Sequence, residues 1–185
     1  MTFLTRRRAM AGAFTATAGL DALAGPALAK PKVGAPAPKF TLWTFDHKKY
    51  TLADLLGNVI ILNYWATWCG PCKQELPLIN SYVHYYQKKY QRDDLKVFAV
   101  TIDDTVSDAE LKPLASVLSF PLISRLDGPY GMVDGAVPSN YVIGRDGTLR
   151  YAEAGAFDLQ LLNSVLPPLL SEVAPDKPGP ATQGA

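Results

Sequence analysis

The apolar positions of this chain follow two rhythms, and the change from one to the other sets out its elements. Val59 to Trp65 (V-I-I-L-N-Y-W) is a run of β-branched and aromatic residues broken by one polar position, the pattern of a strand covered on both faces. Beyond it Cys72, Leu76, Ile79, Val83 and Tyr86 recur at steps of three and four, which predicts a helix with one face in a core. Pro77 falls inside that helix and is expected to kink or break it, because its ring meets the carbonyl four residues back. Leu95 to Ile102 (L-K-V-F-A-V-T-I) returns to the strand pattern. Strand, helix and strand in this order make a βαβ unit with a parallel pair.

The flanking signals are shorter. Phe40 to Trp43 and Lys48 to Thr51 lie either side of Asp46-His47 as a hairpin that would cap one sheet edge, followed by a helical turn from Leu52 to Leu56. Ser107 and Glu110 form a capping box opening another helix, with Leu111, Leu114, Ala115 and Leu118 on its inner face and Phe120-Pro121 ending it. Leu122 to Leu126 reads as a short strand, and Asp127 to Gly135 as a turn-rich passage. Ser139 to Gly144 and Thr148 to Gly155 flank Arg145-Asp146-Gly147, whose Asp-Gly predicts an antiparallel hairpin. Asp158 N-caps a last helix through about Val173, kinked or split at Pro167-Pro168. No internal repeat is present. The chain divides into residues 1–29, a lead-in at 30–39 rich in proline, an α/β domain at 40–174, and a Pro- and Gly-rich tail at 175–185 expected to be disordered.

The chemistry concentrates at the junction of the first strand with the long helix. Cys69 and Cys72, the only cysteines, stand two residues apart in Trp68-Cys69-Gly70-Pro71-Cys72. The first turn of a helix carries unpaired N–H groups and the positive end of the helix dipole, so it favours an anion such as a thiolate. Cys69 is therefore the expected nucleophile and Cys72, one turn inside, the resolving thiol. Pro71 suits the helix start, where its missing N–H is not needed. A purely structural disulfide is the alternative, but a loop this short restrains the unfolded chain little. The C-x-x-C near a βαβ pattern points to redox chemistry.

With 185 residues, 48% apolar and 19% charged, the chain is long enough for one domain with a substantial core. Its net charge of +1 implies no nucleic-acid partner. Residues 1–29 read as an export signal: Arg6, Arg7 and Arg8, then a mild apolar stretch from Ala9 to Leu28, then the cleavage-type string Ala27-Leu28-Ala29. Thr5 to Met10 resembles the twin-arginine (Tat) motif, with an ordinary Sec signal as the alternative. Removal of three arginines and Asp21 takes the net charge from +1 to about −1. Asp21, Gly25 and Pro26 interrupt the apolar stretch, so membrane attachment is expected only if the signal is retained. Beyond the cysteines only His47 and His84 offer soft ligands, so no metal site is expected, and Lys73 after Cys72 excludes the haem-attachment string C-x-x-C-H.

The string Trp65 to Pro77 (W-A-T-W-C-G-P-C-K-Q-E-L-P) closely resembles the active-site string of thioredoxin-like proteins, specifically the exported TlpA/ResA-type disulfide reductases. Gly135 to Ile143 (G-A-V-P-S-N-Y-V-I) is similar to their cis-proline segment, and Val33 to Pro38 to their opening segment. The resemblance spans most of residues 33–172 and implies a thioredoxin fold with an N-terminal β-hairpin and an inserted helix between the βαβ unit and the closing ββα unit. It implies a cis Pro138 facing the cysteines, and Val137 offering its backbone to an extended substrate segment. Trp68, with Gly70 and Pro71, would add an apolar platform for that substrate. The expected substrates are protein disulfides, the redox-active Cys69–Cys72 pair would need no cofactor, and an exported reductant would be recharged by a membrane electron carrier of the CcdA/DsbD kind. Cytochrome c maturation is one setting for such a protein.

One departure from ordinary thioredoxins stands out: the buried strand aspartate that helps deprotonate the second cysteine is Asn63 here, which exchanges no proton near neutral pH. Glu75, one turn past Cys72, would take over that acid and base role. Two other functions compete with disulfide reduction. A thiol peroxidase would need a threonine three residues before its cysteine, where Ala66 stands. A non-catalytic redox-sensing module would use the disulfide only as a switch.

Overall fold

A computed structural model describes residues 30–175. The expected export signal and the tail after Pro175 lie outside the described residues. A seven-stranded mixed sheet forms the centre, in the order β2-β1-β5-β4-β3-β6-β7. β3 (Val59–Trp65) and β4 (Leu95–Thr101) pair in parallel through α2 (Gly70–Tyr90), and β5 (Leu122–Asp127) adds a third parallel strand through α3 (Asp108–Val117). β1 (Thr41–Thr44) and β2 (Lys49–Thr51) form an antiparallel ribbon on the edge beyond β5, leading into the short α1 (Leu52–Leu55). On the other side β6 (Ser139–Ile143) runs antiparallel to β3, β7 (Leu149–Ala154) pairs with β6, and α4 (Leu159–Ser171) closes the chain.

Every residue of β3 is buried, and its alternation divides the interior into two layers. Val59, Ile61 and Trp65 face the layer built by α2 and α4, which also holds Cys69, Cys72, Leu76, Ile79, Leu162 and Leu166. Ile60, Leu62 and Tyr64 face the opposite layer with Phe40, Leu42, Leu55 and Tyr141. Asn63 shares the parity of the first layer, which places a polar side chain under the helix that carries the cysteines.

The structure narrows two expectations, excluding a break at the prolines, and corrects a third. α2 runs unbroken through Pro77, and α4 through Pro167 and Pro168. All three prolines lie on exposed helix faces, where a carbonyl deprived of its partner is hydrated, while Leu76 and Ile79, or Leu166 and Leu169, keep the helix packed on either side. Ala115 is exposed rather than on the inner face of α3, whose buried residue is Leu111.

Candidate active site

α2 opens at the C-terminal end of β3, and Cys69 is its N-cap. The two cysteines are joined as a disulfide, and the Cys72 N–H donates to Cys69 Sγ at 3.2 Å. Cys69 is 4% exposed and Cys72 fully buried. Around them Trp68 projects at 68% exposure, with Gly70 and Pro71 also exposed, so access to the pair comes over these three residues. The loop before the cysteines is tied down by the Thr67 N–H, which donates to Asp103 Oδ2 at 2.6 Å, and by the Ile102 N–H, which donates to the Trp65 carbonyl at 3.0 Å.

The Val137–Pro138 peptide is cis, as the resemblance implies, and it lies at the start of β6. Pro138 is buried, and its carbonyl accepts from the Gly155 N–H at 2.8 Å. Ser139 is fully buried and secures the approach: its hydroxyl donates to the Ala136 carbonyl at 2.7 Å and accepts from the Val133 N–H at 2.9 Å. No hydrogen bond among the described residues engages the N–H or C=O of Val137, so its backbone is free to pair with an added strand.

Glu75 is buried, with 1% exposure, on the same face of α2 as Cys72 and one turn on. Its Oε1 accepts from Asn140 Nδ2 and from the Phe157 N–H, both at 2.6 Å, and its Oε2 accepts from Asn63 Nδ2 at 2.8 Å. Burial raises its pKa above the usual carboxyl value, because the charged form loses its hydration. The three hydrogen bonds, from Phe157, Asn140 and Asn63, pull in the opposite direction without cancelling that rise. No lysine or arginine pairs with it among the described residues. A carboxyl without a counter-charge, held by neutral donors and shifted towards neutrality, is suited to exchanging a proton.

The fold thus gathers the cysteine turn and Glu75 on one helix, and sets the Val137–Pro138 segment at the head of the strand whose Asn140 bonds to Glu75. Sequence reasoning did not single out Asn140, Phe157, Gly155 or Asp103. For Asn140 a signal existed. It is one of two polar residues opening an otherwise apolar strand, and β3–β6 pairing sets it directly opposite Asn63, the one polar residue of β3. Phe157 and Gly155 act through backbone groups, which leave no mark on side-chain pattern.

The AhpC/TSA family model matches residues 33–152. A thiol-disulfide oxidoreductase ResA from Bacillus thuringiensis is 32% identical over 124 residues, covering 64% of this chain and 67% of the relative. The thioredoxin-like protein YneN of Bacillus subtilis is 31% identical over 128 residues, covering 66% and 71%. Among solved structures, a candidate thiol:disulfide interchange protein DsbE from Chlorobium tepidum is 28% identical with a TM-score of 0.58, covering 76% of this chain and 99% of that one. With the thioredoxin arrangement of its sheet and its cysteine pair at a helix mouth, the chain belongs to the AhpC/TSA family as a thioredoxin-like thiol-disulfide oxidoreductase.

Proposed function

We propose that the protein is an exported disulfide reductase acting on protein disulfides. Cys69 thiolate attacks one sulfur of a substrate disulfide; a Cys69–substrate bond forms, and the second substrate sulfur leaves as a thiolate that takes a proton. Glu75 carboxylate then accepts the proton of Cys72, whose thiolate attacks Cys69 Sγ and releases the first substrate sulfur. The substrate gains two electrons and the protein ends with the Cys69–Cys72 disulfide. During the exchange the substrate backbone pairs with Val137 beside Pro138, and its apolar side chains rest on Trp68 and the Gly70-Pro71 turn. The observation that carries this reading is the buried carboxyl of Glu75 one turn behind Cys72, held by neutral donors alone.

The export signal at 1–29 supports work outside the cytoplasm of a bacterium, in the periplasm or an equivalent compartment, where a reductant has to be recharged. A membrane carrier of the CcdA/DsbD kind would fill that role, and apocytochrome c is one disulfide the protein would serve. No metal or other cofactor enters the exchange. In Cys72→Ser a mixed disulfide should accumulate on Cys69, and a Cys69–Cys72 potential near about −270 mV would mark a reductant, near about −120 mV an oxidant. Trapping on Cys72 alone in the reciprocal variant would refute the assignment of the nucleophile.

A further inference from the structure

The donors around Glu75 are not independently oriented; one backbone carbonyl fixes them in sequence. Gly155 C=O can only accept, and Asn140 Nδ2 donates to it at 3.0 Å, so the amide of Asn140 has its NH2 edge on the Gly155 and Glu75 side. Its Oδ1 then faces β3 and accepts from Asn63 Nδ2 at 2.8 Å. That contact turns the NH2 of Asn63 towards Asn140, and its other hydrogen goes to Glu75 Oε2. Asn63 and Asn140 are both fully buried, so neither amide has solvent as an alternative partner. Glu75 consequently meets only N–H groups: two amide side chains and the Phe157 backbone. A protonated Glu75 would find no acceptor for its O–H among these three groups.

We propose that Asn140 is a positioning residue which holds Glu75 in its acceptor-only, ionised form and so sets the pH at which Glu75 takes the proton of Cys72. This rests on the reading of Glu75 as the base. It also ties that base to the substrate segment, since Gly155 accepts from Asn140 with its carbonyl and donates to Pro138 with its N–H. The opposed effects on Glu75, burial upward and the Phe157, Asn140 and Asn63 bonds downward, agree with it. Titratable groups near Glu75 include Cys72 on the same helix, Cys69 at its cap, and Tyr151 with its neighbour Glu153 on β7. Tyr151 is held neutral chiefly by its own burial, with Glu153 and Glu75 adding to the effect.

The test follows reduced full-length protein reducing insulin across pH, together with the infrared band of the protonated Glu75 carboxyl, assigned by its loss in Glu75→Gln. Loss of one donor makes the ionised form less favourable, so in Asn140→Ala both the acid limb of the rate and the infrared midpoint should move up by about one pH unit. Asn140→Leu, of similar size, removes the same donor without adding a titratable group and should shift both the same way. Neither change should move the rate profile further in a Glu75→Gln background. If Glu75→Gln alters the profile while both folded Asn140 variants leave the rate and the infrared midpoint at wild-type values, the inference is overturned and the base remains. If Glu75→Gln keeps the wild-type profile, Glu75 is not the base and the role given to Asn140 falls with it.

Discussion

Two charged side chains are buried among the described residues, at opposite ends of the central strands, and they are compensated in different ways. Arg145, 2% exposed, lies at the end of β6 remote from the cysteines. Its guanidinium pairs with Asp94 at 2.8 Å and donates to the carbonyls of Gly57, Leu169 and Leu170 at 2.9 to 3.3 Å. It thereby closes the C-terminal end of α4, where carbonyls lack helical partners, onto the loops that start β3 and β4. Asp94 is bonded in turn by the Tyr86 hydroxyl and by Arg92. Glu75, at the other end, has three hydrogen bonds but no opposite charge. A buried charge with a full counter-charge resists titration and serves the fold, whereas one solvated by neutral dipoles stays able to change its state.

Breaking the first cluster should have the largest effect on stability. Arg145→Met keeps much of the apolar stem but takes from Asp94 one of its two guanidinium partners and from the carbonyls of Gly57, Leu169 and Leu170 a side-chain donor, which should cost about 3–5 kcal/mol in urea unfolding. The folded fraction should retain wild-type insulin reduction, because the cysteine turn lies at the far end of the strands. A comparable loss of turnover per folded molecule would show that the two ends are coupled and that the contrast is false.

Gly155 tests the other end at smaller cost. Its φ of +121° favours glycine, and a Cβ there meets open space, so Gly155→Ala is opposed by backbone strain alone, about 1–3 kcal/mol. Relief of that strain would turn the N–H away from Pro138 and the carbonyl away from Asn140. The expected result is therefore the reverse of Arg145→Met: a modest stability loss by urea unfolding, with an acid limb of insulin reduction displaced to higher pH.

These two ends were not equally legible. The strand, the cysteine turn, the helix face and both hairpins follow from apolar rhythm and turn chemistry, which act over a few residues, and so they stand in the sequence at nearly their final bounds. Asn63 and Glu75 became visible because each occupies a position where the thioredoxin-like pattern makes a residue matter. Arg145 did not: it reads as the first residue of an Arg-Asp-Gly turn, and nothing local indicates that its side chain turns inward to reach carbonyls more than twenty residues away. The unbroken passage of α2 through Pro77 was also hidden, since it depends on which face of the helix meets water.

The finest separation of the two clusters is in how stability responds to pH. Burial would raise Asp94, but the Tyr86 hydroxyl, Arg145 and Arg92 outweigh it and hold its folded-state pKa below the ordinary 3.8. Its contribution is thus fully present above that value and is lost as pH falls through the folded one. Glu75 is raised above its ordinary 4.5, chiefly by burial, so the folded state binds its proton more tightly than the unfolded chain does. The associated stability is present below 4.5 and is lost as pH rises towards the folded value, by about 1.4 kcal/mol for each unit of the rise. Urea unfolding of the oxidised protein should therefore show Glu75→Gln flattening the decline above 4.5, and Asp94→Asn flattening the decline on the acid side. Should Glu75→Gln leave the slope above 4.5 unchanged, the carboxyl would titrate alike in the folded and unfolded chain, and the neutral donors would offset its burial in full. In that case the distinction between a charge held for the fold and one held ready to titrate would not separate these two sites.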